Sequence, residues 1–90
     1  MKMKCDFCDS PSPKFQFRNP AIHCTVFCAT FEPGYFAACA DCAILLEDDR
    51  LAELVERVVK MQNAGKLGRL YREELLAVYS QVSRLREPLQ

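Results

Sequence analysis

Cys5-Asp6-Phe7-Cys8 and, after an interval of thirty residues, Cys39-Ala40-Asp41-Cys42 are the stretches that decide how this chain is read. Two residues between cysteines let a tight turn aim both sulfurs at one point, about 2.3 Å from each when the point is a zinc ion. Two such knuckles complete a tetrahedron of thiolates and leave no position for water, which is the chemistry of a structural ion and not of a catalytic one. The expectation is therefore one structural Zn2+ held by Cys5, Cys8, Cys39 and Cys42. A redox reading fits less well, because a thioredoxin-like Cys-x-x-Cys sits between a strand and a helix of a βαβ unit. No stretch here supplies the parallel sheet that such a unit needs.

Outward from the knuckles, Lys14-Phe15-Gln16-Phe17-Arg18 alternates polar and apolar side chains, the period of a short half-buried strand with both phenylalanines inward. Asp9-Ser10-Pro11-Ser12-Pro13 and Asn19-Pro20 flank it as turns. The run from Ile22 to Phe31 is rich in β-branched and aromatic residues, Glu32-Pro33-Gly34 supplies a turn, and Tyr35 to Ala38 resumes, so the pattern predicts a β-hairpin. Cys24 and Cys28 alternate with Val26 on one face of that hairpin and read as small buried hydrophobes. His23 would face the opposite way, which argues against an open three-ligand site with them; if exposed, the two cysteines would be prone to oxidation.

After Cys39 the character changes to strong helix formers, and Ala40 to Glu47 predicts a short helix that starts at the second knuckle. Asp48 or Asp49 is placed to cap a second helix. Its apolar face would be Leu51, Leu54, Val55, Val58 and Met61, with Glu53/Arg57 and Glu56/Lys60 paired opposite and Gly65 as the stop. Tyr71, Leu75, Val78, Val82 and Leu85 recur at four, three, four and three residues, which predicts a third helix from about Arg69 to Arg86, ended by Glu87-Pro88.

A knuckle, a β-hairpin and a helix opening at the second cysteine pair resemble a treble-clef zinc finger over residues 5 to about 47. Within that class, Cys5-Asp6-Phe7-Cys8, Cys39-Ala40-Asp41-Cys42 and the helix ending Ile44-Leu45-Leu46-Glu47 are similar to the N-terminal zinc-binding domain of the ClpX unfoldase and to small bacterial and phage proteins. The resemblance implies a module that dimerises and binds adaptors and substrates through the surface around its hairpin. The expected fold class is thus a small zinc-stabilised α+β domain: a treble-clef-like finger over residues 1–47, and a C-terminal helical hairpin over 48–90 packed with it as one domain.

Ninety residues suffice for one core and not for two, so a metal staple is useful. The chain is 50% hydrophobic and 27% charged, the balance of a folded soluble protein. Twelve Lys and Arg against twelve Asp and Glu give no overall field to draw in nucleic acid or an anionic membrane. The start does not read as a secretory signal and no apolar run is long enough to span a bilayer, so a cytoplasmic protein with reduced thiols and no membrane partner is expected. With one histidine, three glycines, no phosphate loop and no Gly-x-Ser-x-Gly, the chain reads as a non-enzyme with no small-molecule substrate.

The expected partner is another protein, a second copy of this chain included, with the chain acting as an adaptor or inhibitor. The apolar seam Tyr71, Leu75, Val78, Val82 and Leu85 either meets that partner or packs on the second helix as an intramolecular hairpin. Phe15, Phe17, Phe27, Phe31, Tyr35 and Phe36 fill the core or serve as anchors. Nucleic acid is the alternative partner, because Arg57, Lys60, Lys66, Arg69 and Arg72 follow one another with no acidic residue between them. Pairing of Arg57 and Lys60 with Glu53 and Glu56, and solvation of the rest, is the competing reading.

Overall fold

The alternating stretch around Phe17 becomes the centre of a three-stranded antiparallel sheet. The computed structural model describes residues 3–24, 29–62 and 68–89. In chain order the elements are β1 (Phe15–Asn19), β2 (Ile22–Cys24), β3 (Ala29–Phe31), β4 (Gly34–Ala38), α1 (Ala40–Glu47), α2 (Leu51–Met61), α3 (Gly68–Ser80) and β5 (Glu87–Pro88). β1 lies between β4 and β5, and β2 with β3 makes a separate two-stranded ribbon. Phe17 stands opposite Phe36 in the β1–β4 register. Both are buried, so the side-chain period of two puts this pair in the core while Arg18 and Tyr35 face outward. The expected half-buried strand is present, with Phe15 only partly covered.

The hairpin differs from the expectation. Ile22 to Phe31 is not one strand returning through Tyr35 to Ala38; Ile22 pairs with Phe31 and Cys24 with Ala29, so the chain reverses on itself within that run. β4 instead pairs with β1, Phe15 to Ala38 through Asn19 to Gly34. β-branched composition marked both segments as strands but carries no information about which partner each takes. Asn19 is buried at the branch, where its amide donates to the carbonyls of Pro20 and Glu32 and so ties the start of the ribbon to the start of β4.

Asp48 and Asp49 do not cap α2. Asp49 adopts φ 58°, and its N–H and that of Arg50 donate to the carbonyls of Leu46 and Leu45, the paired bonds of a left-handed helix stop. The two aspartates close α1, and Arg50 sits at the N-cap of α2 with no side-chain cap. α2 then buries Leu54, Val55, Val58 and Val59, while Met61 is half exposed. Gly65 lies outside the described residues.

α3 is shorter than the heptad spacing predicts. It buries Leu75, Val78 and Tyr79 and ends at Ser80. The next turn tightens, with Gln81 and Val82 donating to Val78 and Tyr79, and the Arg84 guanidinium donates to the carbonyl oxygens of Tyr79, Ser80 and Val82. The end of the helix is thus capped by a side chain from beyond it. Val82 is buried, Leu85 is 76% exposed, and Ser83 N–H joins Arg18 C=O before Glu87 and Pro88 pair with Gln16 and Phe15. The proline takes an edge position, where its missing N–H costs the sheet no ladder bond.

Candidate metal centre

Each knuckle is built by its own backbone. In the first, Asp9 N–H donates to Cys5 C=O and Cys5 N–H to Ser10 C=O, both at 2.9 Å, and Asp9 turns the chain through φ 64°. The Cys8 amide then lies 3.5 Å from Cys5 Sγ. In the second, Cys39 is the extended N-cap of α1 and Cys42 falls in its first turn, so one helix start presents both sulfurs. Asp6 joins the two, since its N–H donates to Ala37 C=O and its carboxylate accepts from Ala37 N–H at 2.6 Å. The free edge of β4 is covered this way by the knuckle itself.

Phe7 fixes the first knuckle to everything else. It is fully buried, 5.5 Å from the Phe36 ring and 4.9 Å edge-on from Tyr79, while Gln62 at the end of α2 donates to its carbonyl at 2.8 Å. Strand, helix and knuckle therefore share one hydrophobic core that includes Cys5, Cys8 and Cys42.

The four sulfurs converge. Their Sγ atoms all lie within 4.8 Å of one another, and Cys8 and Cys39 are 3.7 Å apart. Tetrahedral zinc at 2.3 Å requires sulfur separations of about 3.8 Å, and four soft donors suit zinc above oxygen-seeking ions. Cys5, Cys8 and Cys42 are buried and Cys39 is partly covered, so the residues fit the ion. Hydrogen bonding from Cys42 brings the Cys5 thiol down to about 4 against the opposing effect of burial. The same contact, then burial, pushes Cys42 up. Burial alone would raise Cys39, but the Cys42 amide and the Ser10 hydroxyl bring it below the ordinary thiol value. Negative charge is thus favoured on Cys5 and Cys39 and disfavoured on Cys42, which shares its hydrogen bond with Cys5.

Arg57 meets that charge. From α2 its Nε lies 3.4 Å from Cys42 Sγ, and its Nη2 lies 3.8 Å from Cys39 Sγ, 3.9 Å from Cys8 Sγ and 3.5 Å from Asp41 Oδ2. The contact with Cys42 raises the guanidinium pKa further above its already high value, so the cation is permanent. The expected Glu53/Arg57 and Glu56/Lys60 pairs do not form. Glu53 pairs with Arg50 and Glu56 with Arg72 at 2.7 Å.

The described residues of the basic elbow take separate places. Arg57 points at the sulfurs, Arg69 pairs with Glu73 in the next turn and Arg72 with Glu56 across the helices; Lys60 is exposed, and Lys66 lies outside the described residues. The seam divides as well: Leu75, Val78 and Val82 are buried in the core, Tyr71 is partly buried against it, and only Leu85 is well exposed. Three of the seam's five residues are thus covered within the chain. His23 is exposed with Nδ1 3.4 Å from Thr30 Oγ1; Cys28 and Phe27 lie outside the described residues, and of Cys24 only the backbone is described. Sequence reasoning missed Asp6 and Phe7, and gave Arg57 a glutamate or nucleic acid as its partner where the structure gives it the sulfurs. Phe7 carried one available signal, an aromatic side chain enclosed between two ligands.

Beside the metal centre a cleft of about 380 Å³ opens between β4 and the α2–α3 pair, its walls including Phe31, Tyr35, Phe36, Tyr71 and Tyr79, with Asp6 and Glu32 also lining it.

The fold and site define a small α+β domain with a sheet, a C-terminal helical region and a four-cysteine cluster able to coordinate a metal ion. Compared with family models, with curated proteins and with solved structures, the chain matches none. Among the described residues, no helix is long and apolar enough to cross a membrane.

Proposed function

We propose that this chain is a structural zinc protein that recognises another protein and acts as an adaptor or inhibitor. The zinc part rests on the convergence of Cys5, Cys8, Cys39 and Cys42, four thiolates that leave a tetrahedral ion no open position for a reacting water. The order of knuckle, strand pair and helix opening at Cys39 supports the treble-clef-like reading and the similarity to the ClpX-type zinc domain. Recognition is carried by the aromatic cleft. With Leu75, Val78 and Val82 enclosed, the cleft beside exposed Tyr35 offers a partner side chain an apolar, partly formed pocket of the kind that anchors interfaces. The ion's part is to hold the knuckle against β4, and with it one wall of the cleft.

Two experiments test the reading. Elemental analysis should find one zinc per chain, lost together with the fold in Cys39→Ser; a folded, zinc-free protein would sink the metal half. A photo-crosslinking residue at position 35 should capture a discrete protein partner in cells, and the same residue at Ala52, on the far side of α2, should not. A second copy of this chain as the captured species would make the partner a homodimer. Equal labelling from both positions, or none, would defeat the recognition half.

A further inference from the structure

We infer that Arg57 is a positioning residue of the metal centre, binding the thiolate cluster so that docking of α2 on the finger and retention of the ion are linked. The inference rests on the zinc reading above and adds to it a regulator of that site. Four thiolates around a divalent ion carry a net charge of minus two, partly shielded from water by the burial of Cys5, Cys8 and Cys42. Burying such a charge is costly unless a counter-charge and hydrogen bonds accompany it. Arg57 supplies both. Its side chain is 27% exposed, and its fork reaches a sulfur of the first knuckle (Cys8) and both sulfurs of the second (Cys39, Cys42). A planar guanidinium spans acceptors in this way, which a single ammonium does not.

The competing explanation is an ordinary ion pair with Asp41. That carboxylate is 75% exposed and 3.5 Å away, the kind of pair that contributes little. The sulfurs are the contact that matters, and they accept strongly only as thiolates, the form the ion enforces. Linkage makes the effect reciprocal: whatever the loaded cluster adds to α2 docking, docking returns as tighter metal binding.

The test uses the full chain titrated with Co2+, whose thiolate-to-cobalt charge-transfer band reports sulfur basicity, together with zinc competition against a chromophoric chelator. Arg57→Met should weaken metal affinity about 10- to 100-fold and move the band to lower energy, because sulfurs stripped of a cationic donor give up electrons more readily. Arg57→Lys should recover only part of the affinity. Asp41→Asn should stay within about twofold of the parent with an unmoved band. Val59→Ala, which loosens α2 without touching sulfur, should lower stability and leave the band in place. If Arg57→Met fails to fold with metal, Arg57→Gln carries the same expectation. An Arg57 variant with parental affinity and band, or Asp41→Asn reproducing the Arg57→Met result, would overturn the inference while leaving the metal reading intact. A parent chain with no charge-transfer band at one equivalent of Co2+ would instead sink the metal reading and this inference with it.

Discussion

Replacing Phe7 by alanine should be among the most damaging single changes in the molecule. The ring is fully buried and touches Phe36 of β4 and Tyr79 of α3 at 5.5 and 4.9 Å, so its loss opens a cavity where the sheet, the helices and the knuckle meet. Phe→Ala in a packed core costs about 3–5 kcal/mol, and the tilted and edge-on ring pairs put this site at the upper end of that range. Small domains have about 5–15 kcal/mol in total, so the loss is a large share. Because Phe7 stands between Cys5 and Cys8, two of the candidate metal ligands, the deficit has a second readout. Where the zinc-free chain is unfolded, binding energy is folding energy, and about 4 kcal/mol appears as roughly three decades of apparent zinc affinity. Urea unfolding of the zinc-loaded protein and a chelator competition measure the two quantities. A loss under about 1 kcal/mol with unchanged zinc affinity would show that the knuckle is not held through Phe7.

Three further expectations follow from particular residues. Burial first, and then Tyr71, raises the Tyr79 hydroxyl above its ordinary value near 10; the folded state therefore keeps a proton that the unfolded state loses, and stability present below pH 10 falls as pH rises beyond it. Unfolding free energies from urea titrations at pH 9 and 11 should differ by up to about 1.4 kcal/mol more in the parent than in Tyr79→Phe, and equal differences would refute the assignment. Val82→Ala should cost about 1.5–3 kcal/mol and Leu85→Ser less than about 0.5 in thermal or urea unfolding; equal costs would restore the long helix of the heptad spacing. Zinc should be released as pH falls, because protons compete for the thiolates. Where the zinc-free chain is unfolded all four thiols are free, so the logarithm of affinity should change by up to about four units per pH unit below their range near 8.5, and a slope near zero would mean that protons do not compete for the ligands.

Local signals in the sequence were legible where one residue type permits one job. Cys5, Cys8, Cys39 and Cys42 meet as their spacing requires, and the helix at the second knuckle begins at Ala40. Pairing was not legible, because Ile22 to Phe31 and Tyr35 to Ala38 both look like strands and only the third dimension chooses β1 as the partner of the latter. The heptad spacing ran past the real end of α3 because an apolar residue serves a core from a turn as well as from a helix, as Val82 does. Arg57 was misassigned for a related reason. A glutamate four residues away is a weak local attraction of a few tenths of a kcal/mol, and three sulfurs brought in from elsewhere in the chain outcompete it.

The placement of the ligands also orders events during synthesis. Cys42 completes the sulfur set, whereas Arg57, Tyr79 and the strand that closes the sheet at Glu87 all come later in the chain. At about 5–20 residues per second, roughly two to seven seconds separate the emergence of Cys42 from that of Tyr79. During that interval the four sulfurs could already hold an ion, while the helices that cover the first knuckle have still to follow. A nascent chain without the ion carries four free thiols and an uncovered Phe7 until Tyr79 arrives.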